Sequence, residues 1–177
     1  EHVLISSDSD FFQLLRFGNV TLYDPVKDIL IKQDGVYNDN GKRISFTVDS
    51  SAKIKVGAVD ESFSIAPDWY EYALFLKCIR GDKTDNIFSA YPGVREKGTK
   101  NSIGIKEAYE NNKDKGYAWV NFMHQTWKDH NDVTQQVKDR YEFNKQLIDL
   151  SCIPEDVKAN GLLSIAETVD RKNLNPA

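Results

Sequence analysis

Along the first fifty positions the apolar residues come in short clusters separated by polar turns, the pattern of strands rather than long helices. His2–Ile5 is an apolar run that ends in Ser6-Ser7-Asp8, which predicts a buried strand opening into a polar loop. Asp10 can cap a short helix over 10–16, with Phe11, Leu14 and Leu15 on one face and Gly18 placed to end it. Alternation over 19–23 predicts a strand that Asp24-Pro25 turns. Further strands are expected at 29–32 and 44–48, with Asp34-Gly35 and Asn38-Asp39-Asn40-Gly41 supplying hairpin chemistry between them. The stretch 49–64 reads as an irregular loop.

The period then changes. Trp69, Tyr72, Ala73, Leu76 and Ile79 keep helical spacing behind Pro67 and Asp68, which suit a first turn. Lys77 and Arg80 fall in the last turn, and Gly81 can take a left-handed capping position. Helices are expected over 102–111, 117–128 and 133–150, a short one over 154–157, and a frayed tail from 173. Trp119 and Trp127 read as core, and His124 and His130 as solvated. The fold class is α/β. Residues 1–66 are expected to form the end of an α/β core and 67–177 a mostly helical region. A chain that opens on a core strand suggests that earlier elements of the same sheet precede it.

A length of 177 residues can bury a substantial core. No apolar run of about eighteen residues exists, so no membrane span is expected, and residues 1–5 lack the features of a signal peptide. Cys78 and Cys152 each sit among apolar neighbours and read as buried thiols of a reducing compartment. The formal charge of −4 argues against coating nucleic acid by bulk positive charge. It leaves room for an acidic site that cations neutralise.

Two aspartate pairs carry the chemistry. Asp8 and Asp10 follow a strand, and in extended chain residues two apart point the same way. Asp82 and Asp85, in Gly81-Asp82-Lys83-Thr84-Asp85-Asn86-Ile87, share a face if that segment turns helically. Each pair also has an ordinary explanation as a helix or turn cap. The first is also the pattern of sugar-nucleotide transferases and aspartate phosphatases, although Phe12 stands where the phosphatase pattern wants a small or β-branched residue. Four carboxylates converging would be stabilised by two metal ions roughly 4 Å apart, one activating water and one stabilising the leaving oxygen. Between two expected helices, Gly93, Gly98 and Gly104 alternate with Arg95, Lys97, Lys100 and Lys106. Glycines let backbone N–H groups approach a phosphate and the cations attract it, the plain alternative being a solvated basic loop.

These blocks resemble the phage-type 5′ nucleases of the flap endonuclease and RNase H family, T-even-like phage members above all. The resemblance rests on Ser6-Ser7-Asp8-Ser9-Asp10-Phe11-Phe12-Gln13-Leu14, on Gly81-Asp82-Lys83-Thr84-Asp85-Asn86-Ile87, on Pro92-Gly93-Val94, and on Asn144-Lys145-Gln146-Leu147-Ile148-Asp149-Leu150. It is densest over 3–15 and 77–108. It implies a PIN-like three-layer nuclease core followed by a helix–three-turn–helix region of the SAM-fold type. Asp8, Asp10, Asp82 and Asp85 would be catalytic metal ligands for Mg²⁺ or Mn²⁺. Gly93, Arg95, Lys97, Gly98, Lys100, Gly104 and Lys106 would grip duplex DNA, with K⁺ held by backbone carbonyls. The implied activity is 5′→3′ exonuclease and structure-specific endonuclease action on RNA primers and 5′ flaps during replication. The implied setting is a monomer in the cytoplasm of a phage-infected bacterium, acting on flapped or nicked duplex DNA and RNA–DNA hybrids beside replication proteins. Two departures stand out. A longer, charged insert separates Gly93-Val94 from Ile103-Gly104-Ile105-Lys106. The family's upstream acidic and basic residues also have no counterpart, so the chain is expected to be a fragment with little or no cleavage of its own. The competing class is a non-catalytic duplex-DNA-binding helical module.

Overall fold

The structure, a computed structural model, describes residues 1–57 and 68–174, with side chains through 168. It is a mixed α/β fold with an N-terminal five-stranded sheet and a mostly helical C-terminal region. The sheet runs in chain order through β1 (His2–Ile5), β2 (Val20–Asp24), β3 (Ile29–Lys32), β4 (Gly35–Asn38) and β5 (Arg43–Ile44). The β1–β2 pair is parallel, joined by the 3₁₀ helix Ser9–Phe17, and the other pairs are antiparallel hairpins. Gly18 ends the 3₁₀ helix in left-handed geometry, its N–H donating to Leu15 O at 3.1 Å.

The strand at the start forms, but it is not buried: Val3 is 64% and Ile5 68% exposed. Among the described residues β1 pairs only with β2, so it is a sheet edge with open faces. Three segments depart from the sequence pattern for local reasons. The expected strand at 44–48 breaks at Ser45 into β5 and β6 (Phe46–Val48). β6 pairs with β7 (Ile54–Val56), inside the stretch read as a loop. Asp49 makes that turn, its carboxylate accepting from Ser51 N at 2.8 Å and Lys53 N at 3.0 Å. The remainder of that stretch, and Pro67 with the 66/67 boundary, lie outside the described residues.

The helical region begins with α1 (Trp69–Arg80), then α2 (Ile105–Glu110) and α3 (Tyr117–Met123). Residues 126–128 and 134–136, expected as helix, instead form an antiparallel hairpin, β8 (Thr126–Lys128) and β9 (Thr134–Gln136). The cause is the turn between them. Asp129 accepts from Asn131 N at 2.9 Å and Val133 N at 3.0 Å, and Asp132 holds φ 62°. Helix α4 (Val137–Ile148) follows, then α5 (Glu155–Leu174), which runs far past the single turn expected at 154–157. The end of the expected frayed tail lies outside the described residues. Cys78 is buried, and burial pushes its thiol up to about 12. Cys152 is exposed, against expectation, because it sits in the short 3₁₀ turn beyond α4. His124 and His130 are exposed, while Trp119 and Trp127 are partly buried against the core.

One buried cluster runs from the sheet through α1 into the other helices. Nine of the twelve residues of α1 are buried, which makes it the central element. Trp69 meets Phe12 edge-on at 5.4 Å and Phe46 at 5.1 Å, and its Nε1–H donates to Gln33 O at 3.1 Å. Truncating a ring packed this way typically costs about 3–5 kcal/mol. Trp69 thus anchors the N-terminal end of α1, while at the C-terminal end the Lys77 ammonium meets Asp10 of the 3₁₀ helix and Asp82. No helix among the described residues is long and apolar enough to cross a membrane.

Candidate metal centre

Asp10 enters the site from the first turn of the 3₁₀ helix. Asp8 caps that helix, accepting from Asp10 N at 3.0 Å, so the capping expected of Asp10 falls to Asp8. On the other side, Gly81 ends α1 at φ 75° and ψ −176°, and its N–H donates to Lys77 O. The chain then closes a small loop: Asp82 N donates to Ile87 O at 2.9 Å and Ile87 N to Asp82 O at 2.7 Å. Asp82 Oδ1 also accepts from Thr84 N at 2.9 Å. Asp82 and Asp85 are thus presented from a closed loop rather than a helix.

One ligand-capable oxygen from each of Asp10, Asp82 and Asp85 lies within 4.8 Å of the other two, the one such group among the described residues. Asp10 and Asp82 are half-buried and Asp85 is exposed. The structure therefore joins one member of the first pair to both members of the second. Asp8 is exposed and outside this group, occupied with its cap.

Lys77 was not read from the sequence as a site residue. Its ammonium contacts Asp10 Oδ1 and lies 2.8 Å from Asp82 Oδ2. Burial alone would favour its neutral form, but the hydrogen bonds and charge of Asp10 and Asp82 outweigh that and raise its pKa. In turn the Lys77 ammonium, with Thr84 assisting, holds the Asp82 carboxyl well below the usual carboxylate range. The depressed carboxyl stabilises the fold at any pH above the unfolded value near 3.9, a contribution lost only in stronger acid. The sequence carried one signal: Lys77 follows Tyr70, Ala73 and Leu74 along one face of α1.

Three carboxylates make a hard, oxygen-only donor set that suits Mg²⁺ or Mn²⁺. Lys77 supplies the counter-charge in the metal-free protein. Lys77→Met should therefore destabilise the metal-free protein by about 2 kcal/mol, since it leaves clustered carboxylates uncompensated. Added Mg²⁺ should restore most of that loss. Urea unfolding with and without Mg²⁺ measures it, and a metal-free variant as stable as the wild type would contradict the assignment.

The glycine and lysine segment is built differently from a phosphate cradle. Gly98 N donates to Glu107 Oε1 and Oε2 at 3.1 and 3.0 Å, and Gly104 N donates to Oε2 at 2.8 Å. Ile105 N and Lys106 N donate to Arg95 O at 3.1 Å and Glu96 O at 2.9 Å. The amides expected to meet an anion are thus bonded within the protein. Gly98 and Gly104 are glycines because their backbones approach each other: a Cβ on Gly98 would lie 2.8 Å from Gly104 N. Val94 O accepts from Arg80 Nη1 at 2.6 Å, so carbonyls of this segment are engaged as well. Gly93 is exposed at φ 73°; Arg95, Lys97 and Lys100 are exposed and Lys106 is half-buried. A groove of about 450 Å³, lined by Lys100, Asn101, Tyr117 and Asn121 among others, opens beside this loop. No family model matches the chain, and no curated protein matches it.

Proposed function

We propose that the protein is a metal-dependent nuclease of the 5′-nuclease kind, cutting phosphodiesters of RNA primers or 5′ flaps by 5′→3′ exonuclease and flap endonuclease action. The observation that carries this reading is the convergence of Asp10, Asp82 and Asp85, from two distant segments, to within 4.8 Å of one another. These are three of the four aspartates of the two blocks that resemble that family. Asp10, Asp82 and Asp85 would hold one divalent ion of the expected pair, Mg²⁺ or Mn²⁺. Asp8, whose Oδ1 already caps the turn, would support the ion only from outside the trio, directly or through water. A bound ion supplies positive charge for the phosphodiester oxygens and lowers the pKa of water. Lys77 balances the trio through Asp10 and Asp82, and its ammonium would be freed to face an anionic substrate if an ion took over that task.

Arg95, Lys97 and Lys100, with Lys106 behind them, offer a sequence-independent attraction for the backbone of a flapped or nicked duplex. In this reading the region 93–106 serves as the helix–three-turn–helix element, gripping through side chains rather than amides. The test is cleavage of a 5′-flap DNA by the full-length protein in Mg²⁺, with and without chelator. Cleavage that the chelator abolishes is the expected result. Salt-sensitive duplex binding with no metal-dependent cleavage would replace this reading with the non-catalytic module.

A further inference from the structure

Helix α4 gives no carboxylate to the trio, yet it is bonded to both elements that do. Asn144, on its inner face, is 0% exposed. Its Nδ2 donates to Cys78 O at 2.9 Å, in the last turn of α1, and to Phe88 O at 2.8 Å, just past the aspartate loop. These two carbonyls flank the segment that carries Asp82 and Asp85. The Asn144 Oδ1 atom has no hydrogen-bond partner. An unpaired buried acceptor costs stability, and an apolar side chain of equal size would avoid it. What the amide alone supplies is a pair of donors that tie the entry and exit of the loop to one point.

One turn further along the same face, Ile148 O accepts from Gln13 Nε2 at 2.9 Å, and Leu150 N donates to Gln13 Oε1 at 2.9 Å. Gln13 is 3% exposed and lies three residues past Asp10, so the two share one side of the 3₁₀ helix. The chain at and just past the end of α4 is therefore pinned to the Asp10 element by two bonds, and the middle of α4 is tied by two more to the residues on either side of the Asp82–Asp85 loop.

We infer that Gln13 and Asn144 are positioning residues, which through α4 set the separation of the two aspartate-bearing elements and so the geometry of Asp10, Asp82 and Asp85. The consequence for ion affinity rests on the metal reading above; the consequence for loop order does not.

Asn144→Leu keeps the volume and removes both donors. Amide hydrogen exchange at Asp82 and Ile87, whose N–H groups close the loop, reads its order without any metal. Calorimetric titration with Mn²⁺ reads the trio. In Asn144→Leu, exchange at those two amides is expected to quicken about tenfold or more and Mn²⁺ affinity to fall about tenfold, with protection in the middle of α1 retained. Gln13→Met is the second variant. Its signature is faster exchange at the Asp10 amide, which Asp8 holds, with Asp82 and Ile87 at wild-type rates. Wild-type exchange at Asp82 and Ile87 in folded Asn144→Leu overturns the inference. So does wild-type exchange at Asp10 in Gln13→Met, which decides alone if Asn144→Leu does not fold. If the wild-type protein binds no Mn²⁺, the metal reading fails while the exchange rates still judge the positioning role.

Discussion

Asp85→Asn in the full-length protein is expected to cut the rate of 5′-flap cleavage by about a hundredfold or more while leaving duplex binding and folding nearly unchanged. The three parts of that expectation come from different observations. Asp85 is the exposed member of the trio, so replacing its carboxylate by an amide of the same shape removes little packing. The Lys77 ammonium is shared by Asp10 and Asp82, which leaves Asp85 as the carboxylate most open to an incoming cation. Its loss removes one of three close oxygen ligands and a full negative charge, and affinity for a hard divalent ion depends on both. The exposed cations Arg95, Lys97 and Lys100 are untouched, so a gel-shift assay should report wild-type affinity. Single-turnover cleavage with Mg²⁺ in excess measures the rate, and an unchanged rate would remove Asp85 from the mechanism.

Gly81→Ala should destabilise the fold by about 4 kcal/mol and disorder the aspartate loop. Two costs add. The backbone at Gly81, φ 75° with ψ −176°, lies where residues with a side chain are rarely found. A Cβ there would also collide with the Ile87 carbonyl oxygen and lie 2.7 Å from Phe88 C, both backbone atoms that cannot swing aside. Gly41 is the control. Its φ is also positive, at 72°, but nothing lies within 4 Å of an added Cβ, so Gly41→Ala should cost only about 1 kcal/mol. Urea denaturation of the two variants compares them directly, and equal losses would mean that the close approach at Gly81 is relieved cheaply.

The elements that could be read from the sequence are those with strong local signals. α1 was legible because Trp69, Tyr72, Ala73, Leu76 and Ile79 keep period over the whole element and Gly81 closes it. The β8–β9 hairpin was not, because Thr126-Trp127-Lys128 and Thr134-Gln135-Gln136 are too short and polar to outweigh the helical neighbours on each side. The aspartates could be picked out by type and spacing, but not which of them meet. Asp8 and Asp10 are alike in an extended reading, and the 3₁₀ helix that separates their directions begins between them. Lys77 looked like a last-turn cation serving the helix dipole. Only the packing of α1 against the 3₁₀ helix brings it to Asp10, 67 residues away in the chain. Glycines interleaved with lysines suggest phosphate binding, and nothing local to Gly98 and Gly104 reveals that Glu107 takes their amides.

The buried cluster that joins Leu22 and Ile31 of the sheet to Trp69, Ile105 and Val137 of the helices has a consequence for how the protein melts. Neither half owns a complete interior. Heat or denaturant that strips the strands away would bare the inner side of α1 to water, so loss of the sheet and loss of the helical layer are one cooperative event. The carboxylate trio takes Asp10 from the 3₁₀ helix packed with the sheet and Asp82 and Asp85 from the loop that ends α1, so it disassembles in the same step.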